Sequence, residues 1–127
     1  MSEGFLSLNV YLQAYKLAME IFHLSKQFPK EEIYSLTDQI RRSSRSICTN
    51  LAEGYRKRKY PKHFSSKMTD ADGECSETMV WLTFAKDCGY INEKTCVELF
   101  VQYETVGKML GGMADHPEKF TPKPKAK

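Results

Sequence analysis

Alternation of apolar and polar residues, the mark of a half-buried strand, occurs nowhere in this chain, and its absence argues against a sheet. No apolar run approaches the roughly 20 residues that cross a bilayer. The first residues lack the basic, apolar and small-residue segments of a signal peptide. The four cysteines, Cys48, Cys75, Cys88 and Cys96, stand far apart with no C-x-x-C pair, which excludes the usual zinc spacings. The three histidines, His23, His63 and His116, stand alone, without an H-E-x-x-H or the Glu-x-x-His that builds di-iron bundles. There is no glycine-rich phosphate loop, and no histidine is placed to activate the serines near Arg45. The expectation is a reduced, cytoplasmic, non-enzymatic protein with no metal or cofactor, whose cysteines are small core residues.

What is there is ordinary globular material. The 127 residues, 41% hydrophobic and 28% charged, suffice for one domain with its own core and leave only the ends as candidates for disorder. A net charge of +3 does not by itself mark a nucleic-acid binder, so what counts is how the charge is distributed.

Apolar residues recur at three- and four-residue steps in four stretches. A first helix, about residues 6–28, carries Leu6, Val10, Ala14, Leu17, Ile21, Leu24 and Phe28 on one side. A second stripe, Leu8, Tyr11, Leu12, Tyr15, Met19 and Phe22, lies roughly opposite, where the surface helix of a monomer would be polar. Phe28–Pro29 breaks the run. A second helix, about 30–59, turns Ile33, Leu36, Ile40, Ile47, Leu51 and Gly54 inward and Arg41, Arg42, Arg45 and Arg56 outward. Gly54 costs about 1 kcal/mol in a helix interior and so reads as a point of close backbone packing; Ser43 and Ser44 would also let a neighbour approach. After Tyr60–Pro61 a third helix, about 62–88, buries Phe64, Met68, Ala71, Cys75, Met79 and Leu82 and ends at Gly89. Asn92 caps a fourth, about 92–113, with Cys96, Leu99, Tyr103, Val106, Leu110 and Met113 inside, and His116–Pro117 stops it.

These elements make an all-α, antiparallel up-down-up-down four-helix bundle over about residues 1–116, followed by a disordered basic tail over about 117–127. Two apolar faces, one with Tyr11, Tyr15 and Phe22 and one with Val80, Trp81 and Phe84, point to a homo-oligomer or another protein partner; the competing reading makes them flanks of a wide bundle core. The arginines of the second helix, with Lys57, Arg58, Lys59 and Lys62 at the next turn, form a basic stripe suited to phosphate oxygens. Tyr55 and Tyr60 interleave with it. Against RNA or DNA binding stands a solvated face, or arginines paired across an interface with Asp38, Glu53 and the acids Asp70, Glu74 and Glu77 of the third helix.

Five motifs carry a family likeness: Phe28–Pro29 with Glu32 and Leu36; Gln39–Ile40–Arg41–Arg42 with Ser46–Ile47; Asn50–Leu51–Ala52–Glu53–Gly54; Ala71–Asp72–Gly73 with Glu77; and Gly89–Tyr90–Ile91. With them the chain resembles, over nearly all of residues 8–113, the small bacterial four-helix-bundle proteins once labelled S23 ribosomal proteins and encoded in intervening sequences of large-subunit ribosomal RNA genes. It departs from that pattern at Glu74, where the family usually has serine, and at Thr78, where it usually has leucine. The resemblance implies the bundle fold. A relative, the accessory variability protein of diversity-generating retroelements, implies a pentamer that binds nucleic acid and a reverse transcriptase.

Overall fold

The four periodic stretches fold as α1 (Asn9–Ser25), α2 (Leu36–Arg56), α3 (Pro61–Asp87) and α4 (Glu93–Asp115). The computed structural model describes residues 4–122, and among them there is no strand. Each helix packs on its neighbours in the chain and α1 closes on α4, giving an antiparallel up-down-up-down bundle in which the α1–α4 seam is thinnest. No helix among the described residues is long and apolar enough to cross a membrane.

The core stripe expected for α4 is buried in full, and α4 is capped by Asn92, whose side chain accepts the Thr95 amide at 2.8 Å. α3 closes on Gly89 at φ 80°, with Gly89 N–H bonded to Lys86 O and Tyr90 N–H to Ala85 O, the paired bonds of a Schellman cap.

The densest seam joins α2 and α3. A Cβ built on Gly54 would lie 2.5 Å from Met68 Cε and 2.8 Å from Lys67 Cβ, so glycine there lets the two backbones approach, as its place in the core sector suggested. Higher in the seam Ser43 and Thr78, both fully buried, pair their hydroxyls at 2.8 Å. Thr78 also reaches the Glu74 carbonyl at 2.9 Å and Ser43 the Ile40 carbonyl at 3.4 Å, so neither oxygen is orphaned.

Several boundaries differ from the sequence reading. Gly4–Ser7 forms a separate 3-10 turn, α1 starts at Asn9, and the chain turns after Ser25 while Phe28 still reaches the core. α2 starts at Leu36, not near residue 30, because Glu32 closes a 3-10 turn (Lys30–Glu32) and its carboxylate accepts from Ser35 Oγ and the Leu36 amide. Ile33, expected inside, therefore lies outside the helix and is 52% exposed. The expected tail is ordered at its start: Pro117–Lys119 is a 3-10 turn that stacks Phe120 on Phe64 at 5.4 Å. The rest of that tail, 123–127, lies outside the described residues. Cys48, Cys75 and Cys96 are core residues, and burial pushes the Cys48 thiol up to about 11 and the Cys75 thiol to about 12. Cys88, by contrast, is exposed at the end of α3.

Two glycine variants separate packing from propensity. Gly54→Ala gains helix propensity of about 1 kcal/mol but must overpack the seam, and a net loss of about 1–2 kcal/mol is expected. A Cβ at Gly73 meets nothing within 4 Å, so Gly73→Ala should stabilise by about 0.5–1 kcal/mol. Urea unfolding of both variants reads the contrast; stabilisation by both would refute the close approach at Gly54.

Candidate nucleic-acid interface

Arg41 and Arg42 are consecutive, so they leave α2 about 100° apart and meet different neighbours. Arg41 turns toward α1. Its Nε donates to Ser25 Oγ at 2.7 Å and its guanidinium carbon lies 4.9 Å from the centre of the Phe22 ring. Placed at the last turn of α1, where backbone carbonyls lack helical partners, the cation also meets the negative end of the helix dipole. Arg42 turns toward α3, where it pairs with Glu74 at 3.2 Å and with Glu77. Glu77 also accepts from the Trp81 indole at 3.4 Å. The acids of the third helix, weighed above as alternative partners, thus take Arg42 and neither Arg41 nor Arg45.

Arg45 stays exposed between those flanks, its guanidinium carbon 5.7 Å above the centre of the Phe22 ring. Arg56, Lys57, Lys59 and Lys62 are exposed as well, while Arg58 folds back, donating from Nε to Tyr55 O at 2.8 Å and stacking 3.8 Å above the Tyr55 ring. Asn50 and Glu53 both meet Lys67 of α3, at 3.4 Å and 2.7 Å, so they serve the α2–α3 seam alongside Gly54. Hydrogen bonding to the Lys67 ammonium holds the Glu53 carboxyl below its ordinary value.

The outward side of α2 forms an open groove of about 560 Å³ lined by Arg41, Arg42 and Arg45, by Thr37, Ser46 and Thr49, and by one acid, Asp38. Ile33 and Tyr34 close its N-terminal end; sequence reading missed both, because Ile33 fits the helical stripe and Tyr34 falls in a stretch read as helix. A second cleft, of about 580 Å³, lies at the other end of α2 between Tyr55, Arg56 and Arg58 and the Gly4–Leu6 segment.

The apolar residues expected at an oligomer interface divide into two groups. Tyr11 and Trp81 pack partly on their own core, and the Phe22 ring is flanked by Lys26, Arg41 and Arg45. Tyr15, Val80 and Phe84 remain about half exposed, with Phe84 5.8 Å from Trp81. Among the described residues no group of three or more His, Cys, Asp or Glu side chains is placed to hold a metal ion.

An all-helical, up-down-up-down bundle with an arginine-lined second helix is the class these features define. Residues 7–112 match the model of the 23S rRNA-intervening sequence protein family, and the chain belongs to that family. The fold is similar to a crystal structure of a protein of unknown function from the S23 ribosomal protein family of Bacteroides thetaiotaomicron VPI-5482. That similarity has a TM-score of 0.75, covers 84% of this chain and 95% of the other, and comes with 24% sequence identity. At that identity the likeness bears on fold alone. No curated protein matches the chain. The family description names no reaction.

The loop that presents Tyr34 depends on Glu32. Its carboxylate is held below the ordinary 4.5 by hydrogen bonds from Ser35 first, then Tyr90, whose hydroxyl lies 2.8 Å away, and the Leu36 amide. The same bond raises the Tyr90 hydroxyl to about 12. Because the folded-state carboxyl is the stronger acid, its contribution is complete above 4.5 and is lost as pH falls below that value. Glu32→Gln should therefore unfold at lower urea than wild type near pH 6, with a gap that narrows as pH falls below 4.5; a gap that stays constant as the pH is lowered would contradict the assignment.

Proposed function

We propose that this protein is a non-enzymatic, homo-oligomeric binder of nucleic-acid backbone, and that the outward side of α2 is its binding face. The groove carries the reading: three arginines line it against one carboxylate, and Arg45 among them faces outward, a cationic surface suited to phosphate oxygens. Arg45 and Arg56 are the principal phosphate contacts, with Lys57, Lys59 and Lys62 extending the cationic surface beyond the end of α2. Arg41 holds α1 and Arg42 holds α3, so their part is to shape the groove. An oligomer built through the exposed apolar residues of α1 and α3 repeats this face and enlarges the cationic surface well beyond +3 per chain. A protein-interaction scaffold is the second reading, favoured by the cleft in which Trp81, Phe84 and Cys88 face Tyr34 and Leu36.

Fluorescence anisotropy with RNA and DNA across a salt series tests the reading. Wild type should bind with affinity that falls steeply with salt. Arg45→Gln/Arg56→Gln should reduce the log–log slope by about 0.7–0.9 for each lost phosphate contact, whereas Arg42→Gln leaves it nearly unchanged. Folded wild type that binds nothing at low salt would overturn the proposal in favour of the scaffold.

A further inference from the structure

At the N-terminal end of the α2 groove Tyr34 stands 92% exposed, beside the half-exposed Ile33. Burying a tyrosine ring removes a large apolar area from water, so a ring left this open makes little packing contribution to the isolated chain. The segment beneath it is nonetheless held. Ile33 N–H bonds to Lys30 O at 3.1 Å and Ser35 N–H to Glu32 O at 3.0 Å, while the Glu32 carboxylate ties Ser35 and Leu36 to Tyr90 in the turn after α3. The ring is thus carried on a pinned turn at the mouth of a groove whose outward cation is Arg45.

We infer that the groove selects unpaired nucleotides over duplex, with Tyr34 as the platform on which a base stacks while Arg45 holds the adjacent phosphate. The inference rests on the backbone-binding reading above. In a duplex the base faces are occupied by their neighbours and only edges are offered in the grooves, so an exposed ring gains nothing from them. A single strand offers a π-face at every base, and stacking on an aromatic side chain tolerates any sequence. The chemistry is shared by single-stranded RNA and DNA.

The test uses the full chain, a mixed-sequence single strand of about 16 nucleotides as RNA and as DNA, and the matching duplexes. Tyr34→Ala should weaken binding of both single strands by about tenfold. Tyr34→Phe should retain it, and the duplexes should be bound more weakly than single strands and equally by all three proteins. A loss confined to RNA, with DNA unaffected, would contradict the shared stacking chemistry. Equal binding of single strands and duplexes with no effect of Tyr34→Ala would overturn the inference while leaving backbone binding intact. Absence of all binding would overturn both. Light scattering supplies the remaining arm: a smaller mass for Tyr34→Ala would make Tyr34 a subunit contact and overturn the stacking role.

Discussion

The close approach of α2 to α3 sets the geometry on which the outer surface depends. Glycine at position 54 removes the Cβ that would strike Lys67 and Met68, and the Ser43–Thr78 hydroxyl pair keeps the seam narrow farther along. With its inner side committed to that seam, α2 has no freedom to rotate. Its 3.6-residue repeat then decides which arginine meets which neighbour.

One consequence is a division of labour among side chains of the same type. Arg41 closes the end of α1, Arg42 joins the Glu74 and Glu77 carboxylates of α3, and Arg45 lies between them toward water. Ion pairs at exposed positions contribute little to stability, so the gain from Arg42 is mainly in fixing the α3 flank of the groove. Glu74 supplies one of the two carboxylates that hold Arg42, and Thr78 pairs with Ser43 in the same seam.

Much of the fold was legible because its signals are periodic. The six inward residues of α4, the Asn92 cap, the Gly89 terminus and the packing role of Gly54 all follow from spacing and from what glycine and asparagine do to a backbone. What escaped are contacts between segments distant in the chain. Ile33 fits the α2 stripe by angle, yet the Glu32 carboxylate, bonded to Tyr90 58 residues away, starts the helix later and leaves Ile33 outside. Arg42 reads as part of one basic face until the acids of α3 are placed beside it. Phe120 sits in a lysine- and proline-rich tail whose composition points to disorder, although Phe64 offers it a stacking partner. The arginine-rich side was visible from composition along α2; its shape as a groove ending in Tyr34 was not.

The most direct test of the account is a nuclear magnetic resonance titration of nitrogen-labelled protein with a short single strand, following arginine Nε–Hε and the Trp81 indole resonances. The account requires progressive shifts at Arg45 and Arg56, with Arg42 and the Trp81 indole nearly unmoved. Shifts centred on Trp81 and Arg42, with Arg45 and Arg56 unchanged, would place the ligand on α3 and contradict the assignment of the binding face to α2.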